Sequence, residues 1–375
     1  MTHKLLFLQT EDWSFWSHRM PLARAAKAAG YEVIIAARVD AHGERIRAEG
    51  FRLIAVDWRR NSVNPFGELL LLLEIVRLYA REKPDIVHQV TAKPIFYGTI
   101  AARLTGVRAI VNTLTGLGSI FSSNTRKARL LRPGIRFAFK SALAASNSMT
   151  IFQNRDDLAL FVSGGLVDAG KAALIRGSGV DIGKFRPRPK PDELPLVVLP
   201  ARMIWEKGVG EFVAAVRLLA ADGVQARFAL LGDRDADNPA AIPAARLAQW
   251  KQDGPVEWWG NREDMPEVFA QAHIVCLPTY YGEGLPKTLL EGAACGCALV
   301  AADVPGTREI VRHEETGLLV PPRDAPALAA ALKRLIEDKP LRERLGKKAR
   351  QAACEEFSQE RVAAETLRVY GELLR

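Results

Sequence analysis

Tyr281-Gly-Glu-Gly-Leu-Pro-Lys-Thr-Leu-Leu-Glu-Gly-Ala-Ala-Cys-Gly-Cys-Ala-Leu-Val300 decides how the chain is read. It follows the apolar run Ile274–Leu277, which reads as a strand. Gly282 and Gly284 permit a tight turn with backbone close to a ligand, and Pro286 suits the first position of a helix. Leu289, Leu290, Ala293 and Ala294 then take one broad helical face, and Thr288, Glu291 and Cys295 another. A strand, a glycine turn, a helix and a second apolar run are the parts of a parallel α/β sheet. The backbone N–H groups of Gly284, Leu285 and Lys287 at such a helix start form an anion site suited to a diphosphate. Glu291 lies five residues in, roughly 7.5 Å along the axis at about 1.5 Å per residue. A nucleoside diphosphate laid across the helix start puts its ribose there, and a carboxylate accepts well from two ribose hydroxyls. The bland alternative is that Glu291 pairs with Lys287 one turn away and Glu283 merely favours the helix start.

Working outward, the same alternation fills the chain. In the first half, strands are expected at Leu5–Leu8, Val33–Ala36, Leu53–Val56, Ile86–His88, Ala109–Asn112 and Met149–Phe152. Helices are expected at His18–Ala29, Leu69–Arg81, Ile95–Leu104 and Arg126–Ala145. The charged, proline-rich stretch from Phe185 to Pro191 reads as a linker. Strands then resume at Leu196–Leu199, Arg227–Leu231, Val256–Trp259, Ile274–Leu277, Ala298–Ala301 and Leu318–Val320. Their helices are Val209–Ala221, Pro266–Ala272, Pro286–Cys295 and Ala325–Glu337, and two more from Leu341 to Leu374 divide near Phe357-Ser358. With 375 residues, this predicts two doubly wound α/β domains in series. Ligands of such sheets bind outside the carboxyl ends of the strands, and with two domains in the cleft between them.

Composition narrows the function. Apolar residues make up 48% and charged residues 25%, as in an ordinary globular protein. No apolar run reaches the about 18 residues of a membrane span. The N-terminal ten residues have too short an apolar core for a signal peptide and read as a first strand. The four cysteines lack zinc-ligand spacing, and reduced thiols with a cytoplasmic location fit best. The net charge of +9 is uneven. Residues 1–188 hold 28 Lys and Arg against 15 Asp and Glu (+13), and the remainder 24 against 28 (−4). No acidic residue lies between Asp85 and Asp156, where Arg126, Lys127, Arg129, Arg132, Arg136 and Lys140 cluster. A basic half implies an anionic partner: an anionic membrane surface, a phosphate-bearing substrate or nucleic acid. The apolar residues interleaved along Arg126–Lys140 suit a membrane surface or the diphosphate of a lipid-linked acceptor. No nucleic acid is expected, since no recognised module is present.

Arg202 and Lys207 follow the first strand of the second half, where two cations can neutralise a diphosphate. Gly232-Asp-Arg-Asp-Ala-Asp-Asn238 fails as a calcium loop, because Asn238 replaces glycine at its sixth position and Ala244 replaces glutamate at its twelfth. No Gly-x-Gly-x-x-Gly follows a first strand, which argues against a nicotinamide dehydrogenase.

A resemblance rests on these residues together. Arg202…Lys207-Gly208, Gly232, Trp259-Gly-Asn-Arg262, Pro278…Glu283-Gly-Leu-Pro-Lys287…Glu291-Gly-Ala-Ala-Cys-Gly296, Pro305-Gly-Thr-Arg-Glu-Ile310 and Gly317-Leu-Leu-Val320 resemble the retaining glycosyltransferases of family 4, with the GT-B fold. The match spans about residues 195–375. In the first half, the stretches from Asp85 to Pro94, Thr113 to Gly118 and Gly177 to Ile182 are similar to the subgroup that builds bacterial capsular, O-antigen or lipid-linked oligosaccharides. The resemblance implies two Rossmann-like domains facing a cleft. An acceptor-binding domain would span 1–185, joined by a C-terminal helix at about 358–375, and a nucleotide-sugar domain 192–357. It implies transfer of a sugar from a nucleotide sugar, expected to be a UDP-sugar, to a lipid-linked or growing polysaccharide acceptor at the inner membrane face. No metal or other cofactor is implied. Arg202 and Lys207 would hold the donor diphosphate, Glu291 the ribose and Glu283 the sugar hydroxyls. Gly284, Leu285, Pro286, Lys287 and Arg262 join the donor contacts. Attack from the leaving-group face, with a phosphate oxygen taking the acceptor proton, makes Glu283 a positioning residue. Many relatives carry a histidine after the strand Ala109–Asn112. This chain has Thr113-Leu-Thr115, so Thr115, Gly116 and Gly118 are expected to contact the donor instead. His18, His88, Lys93, Trp13 and Trp16 are the expected acceptor contacts. Two alternatives are a sugar-nucleotide epimerase of the same fold and a non-enzymatic, basic anion-binding protein.

Overall fold

Strands made of Val, Ile, Leu and Ala on both faces need cover on both, and parallel strands joined through helices supply it. The computed structural model describes residues 2–58, 64–116, 126–190, 193–235 and 238–375. It divides into two units, Met1–Ser178 with Gln359–Arg375, and Gly179–Ser358.

The N-terminal unit runs β1 (Lys4–Glu11), α1 (Asp12–His18), α2 (Met20–Ala28), β2 (Glu32–Arg38), α3 (Gly43–Ala48), β3 (Arg52–Ala55), α4 (Pro65–Glu82), β4 (Ile86–Val90) and α5 (Ala92–Thr105). It continues with β5 (Ala109–Leu114), α6 (Arg126–Leu143), β6 (Ser148–Phe152), α7 (Arg155–Ser163) and β7 (Ala172–Leu174). Its parallel sheet has the order β3-β2-β1-β4-β5-β6-β7. Leu6 and Leu8 pack with Leu71 and Ile75 of α4 and Ala101 of α5. Leu5 and Phe7 point the other way, toward Met20 and Ala23 of α2.

The C-terminal unit runs β8 (Leu196–Pro200), α8 (Val209–Ala221), β9 (Arg227–Leu231), α9 (Ala244–Asp253), β10 (Val256–Gly260), α10 (Met265–Gln271) and β11 (Ile274–Leu277). It ends with α11 (Lys287–Ala294), β12 (Ala298–Ala302), α12 (Thr307–Ile310), β13 (Gly317–Val320), α13 (Ala325–Glu337) and α14 (Lys339–Glu356). The sheet order is β10-β9-β8-β11-β12-β13, again parallel. Helices α8 and α13 cover one face with Phe212 and Leu332, and α11 and α14 the other with Leu289 and Ala349.

The last helix, α15 (Gln359–Leu374), belongs to the first unit, where Val362, Val369 and Tyr370 join the core of Phe7 and Met20. This is the expected return of the C-terminus. The division at 178/179 falls earlier than the expected end at 185, because Val180 and Phe185 are buried in the core of the C-terminal unit. Each sheet has a switch point, between β1 and β4 and between β8 and β11, where successive crossovers leave in opposite directions.

Candidate active site at the sheet switch points

In the C-terminal unit the two loops singled out above leave adjacent strands. The β8 loop makes one 3-10 turn, Trp205–Lys207, and enters α8 through Gly208. Gly208 has φ +75°, and a Cβ there would lie 2.1 Å from the Pro278 carbonyl oxygen. A side chain would therefore separate the two loops. Thr279 Oγ1 donates to the Glu206 carbonyl at 2.9 Å and the Tyr280 N–H donates to the same oxygen at 3.1 Å. These ties bring the Lys207 ammonium onto the Glu283 carboxylate, which lies 3.2 Å from Thr279 Oγ1. From behind, Gly306 backs the turn, since a Cβ there would come within 2.5 Å of the Glu283 carbonyl oxygen. That explains a glycine in Pro305-Gly-Thr307.

Helix α11 begins at Lys287 after Pro286, so its positive end opens beside this pair. Glu291 is only 7% exposed, one turn further in. Lys287 Nζ stands 3.4 Å from its carboxylate, so the bland pairing does form. It does not satisfy the group: burial raises the Glu291 carboxyl above its usual range, and Lys287 and Lys184 only partly oppose that. A carboxylate can accept several hydrogen bonds, and no other donor reaches this one among the described residues. Leu285 is half-buried in the same turn.

The other expected donor contacts are more dispersed. Arg202, on the β8 loop, donates to Asp235 at 2.5 Å and keeps a partly exposed guanidinium. Arg262 follows the edge strand β10, holds Asp264 with Nε at 2.7 Å and lies 5.9 Å from the Trp259 ring centre. The structure ties it there rather than to the Lys207–Glu283 pair. In the other unit, Thr115 and Gly116 stand just past β5, and Gly118 lies outside the described residues. Among the described residues no set of His, Cys, Asp and Glu gathers that could hold a metal.

The N-terminal unit gathers polar side chains at the carboxyl end of β1. Trp13 is exposed on α1, with Nε1 donating to Glu11 at 2.6 Å. Trp16 is half-buried, 6.3 Å from the His42 ring and 6.0 Å from the Arg24 guanidinium. His18 Nδ1 lies 3.2 Å from the Ser14 carbonyl. Lys93, at the start of α5, pairs with Glu68 at 2.9 Å.

His88 corrects an expectation. It is fully buried, with Nδ1 2.5 Å from the Tyr370 hydroxyl and Nε2 2.7 Å from Thr113 Oγ1. Both ring nitrogens are occupied, and burial, reinforced by the Arg19 charge, pushes its pKa well down. It is a neutral core histidine fixing α15 to the sheet, and it offers nothing to an acceptor. Along α6, Arg136 and Lys140 are exposed, whereas the side chains of Arg126, Lys127, Arg129 and Arg132 lie outside the described residues.

Two residues escaped the sequence reading. Arg19 is buried between α1 and α2, its Nε and Nη2 make no hydrogen bond, and burial lowers its pKa to about 10. Thr91, leaving β4 at the switch point, has φ +75° and ψ 165°, a region costing a non-glycine residue on the order of 1–3 kcal/mol. Neither has a sequence signal, because both depend on tertiary surroundings.

Comparison with known proteins matches residues 195–338 to the family model "Glycosyl transferases group 1" and residues 4–152 to "Glycosyl transferase 4-like". The chain is 28% identical over 382 residues to N,N'-diacetylbacillosaminyl-diphospho-undecaprenol alpha-1,3-N-acetylgalactosaminyltransferase of Campylobacter jejuni, covering 98% of each chain. It is 26% identical over 296 residues to UDP-Gal:alpha-D-GlcNAc-diphosphoundecaprenol alpha-1,3-galactosyltransferase of Escherichia coli, covering 75% of this chain and 73% of that one. Its fold is similar to that of HepE of Anabaena, solved with UDP and glucose (TM-score 0.78, 18% identity, covering 99% of this chain and 100% of that one).

Proposed function

The chain belongs to the glycosyltransferases, with a group 1 module in its C-terminal unit and a 4-like module in its N-terminal unit, and from that premise we propose a retaining, metal-independent transfer of a sugar from a UDP-sugar to a lipid-linked saccharide at the cytoplasmic face of the membrane. One observation carries the donor half of this reading: a lysine, a helix start and two largely buried carboxylates converge where β8 and β11 end. Relatives whose names specify diphospho-undecaprenol acceptors support the acceptor half.

Lys207 and Glu283 neutralise each other. An arriving diphosphate competes for the ammonium, joined by Arg202 and the start of α11. Glu283 is released to accept from a hydroxyl of the donor sugar, and Glu291 accepts from the ribose. The acceptor hydroxyl attacks the anomeric carbon on the face the diphosphate leaves. As the C–O bond to the diphosphate breaks, a phosphate oxygen takes the hydroxyl proton. Lys207, Arg202 and the helix dipole stabilise the charge growing on that oxygen, which is the part a metal plays elsewhere. The acceptor contacts in this reading are His18, Trp13, Trp16 and Lys93 of the N-terminal unit.

Thermal unfolding with a panel of UDP-, GDP- and ADP-sugars tests the donor, since a bound donor raises stability by mass action. A shift with UDP-sugars alone is expected. Lys207→Ala and Glu291→Ala should each abolish transfer while circular dichroism stays unchanged, and full turnover in both would overturn the site. Proton NMR of the product distinguishes the axial linkage expected of retention from an inverted one.

A further inference from the structure

Helix α4 is apolar on two faces. Inward, Leu71, Ile75, Leu78 and Tyr79 fill the core beside β1 and β4. Outward, Phe66, Leu69, Leu70 and Leu73 are 70%, 51%, 55% and 40% exposed. Their i, i+3, i+4, i+7 spacing makes one continuous stripe over two turns. A helix apolar all round is ordinarily buried, and an apolar patch this contiguous is seldom left in water.

The charges around the stripe point to its occupant. Its own line continues into exposed Arg77 and Arg81. Of the nearest carboxylates, Glu68 is taken by Lys93 at 2.9 Å and by the Tyr97 hydroxyl at 2.6 Å, and Glu82 is buried and paired with Arg52 at 2.7 Å and with Arg81 at 2.9 Å, which leaves Arg77 as the exposed cation of this line with no acid paired to it among the described residues. Glu74 is half-buried, where desolvation raises its pKa. Helix α5 lies between α4 and α6 in the same layer. On α6, Phe137 is 74% exposed between exposed Arg136 and Lys140. An apolar stripe bordered by cations matches the headgroup region of an anionic bilayer, where leucines and phenylalanine enter the acyl boundary and arginines remain among phosphates. A peptide partner of matching chemistry would need an apolar, acidic face. Helix α4 follows β3, so the stripe lies at the carboxyl end of the strands, the end at which ligands of such sheets bind.

We propose that the outer face of α4 docks the N-terminal unit on an anionic lipid surface, with Phe66, Leu69, Leu70 and Leu73 as the inserting residues. Its usefulness rests on the lipid-linked acceptor proposed above, but its test does not. Full-length chain and the exposed-site variant Phe66→Ser/Leu69→Ser/Leu70→Ser/Leu73→Ser are floated with phosphatidylglycerol–phosphatidylcholine vesicles free of acceptor. Anionic vesicles should bind the wild type and lose roughly ten-fold or more of it in the variant, with pure phosphatidylcholine binding weakly. Transfer to a water-soluble, short-chain acceptor should stay within roughly two-fold of wild type, since the stripe touches no reacting group. Equal flotation of both proteins would overturn the proposal, and so would a concentration-dependent dimer in sedimentation velocity that the variant loses. Stripe-dependent flotation of a chain that glycosylates no acceptor would support the docking surface and overturn only the function proposed above.

Discussion

Glu291 is costly to bury, and the cost has a measurable sign. Its carboxyl pKa is raised in the folded chain, so the ionised form is disfavoured there relative to the unfolded chain. The associated stability is fully present below the unfolded pKa and is lost as pH rises through the folded one. Glu291→Gln removes that loss. Without donor, the variant should melt higher than wild type at pH 8 and alike near pH 4, read by circular dichroism. With donor the order reverses. Hydrogen bonds to a charged group are worth about 1.5–3 kcal/mol, so donor affinity should fall roughly ten- to hundred-fold in calorimetric titration. A variant more stable yet weaker in binding is what separates a functional carboxylate from a mere partner of Lys287. Equal donor affinity would return Glu291 to the bland reading.

At the scale of elements, loop contacts rather than helix propensity fix the site. Gly208→Ala puts a Cβ 2.1 Å from the Pro278 carbonyl oxygen and strains a φ of +75°. Strain alone costs on the order of 1–3 kcal/mol, and relieving the overlap must part the β8 and β11 loops. Lys207 then leaves Glu283, and transfer should fall at least roughly hundred-fold by the misplacement argument. Gly223→Ala, past the other end of α8, has the same φ of +75° but nothing within 4 Å. It should lower the melting temperature modestly and leave kcat intact, which separates displacement from strain. These parts were legible because each had a local cause. Short apolar runs marked every strand of the C-terminal sheet, and glycines, prolines and the glutamate spacing marked the β11 loop. Elements without such a cause were missed: α1, which carries Trp13 and Trp16, the short helices α3, α7, α9 and α12, and the three-residue β7. His88 was misjudged because a strand-end histidine reads the same whether it faces solvent or Tyr370, and Tyr370 is 282 residues away.

At the scale of the molecule, the return of α15 makes the N-terminal unit depend on the last residues of the chain. Tyr370 is fully buried, its hydroxyl meets His88 Nδ1, and its ring lies 6.0 Å from Tyr31 in an edge arrangement. Tyr370→Phe keeps the ring and leaves a buried imidazole nitrogen without its partner, a loss of about 1–3 kcal/mol. Each unit has its own cores, so calorimetry should resolve two transitions rather than one. The donor identifies them, because a ligand held by the C-terminal unit raises only that transition. Tyr370→Phe should lower the donor-insensitive transition and leave the other in place, although residue 370 follows the whole C-terminal unit in sequence. Removing residues 359–375 should abolish the donor-insensitive transition, since Phe7, Met20 and Ala23 lose their cover. The donor-sensitive transition should persist. If the point substitution lowers both transitions equally, the units do not unfold separately and the division at residues 178/179 has no energetic meaning.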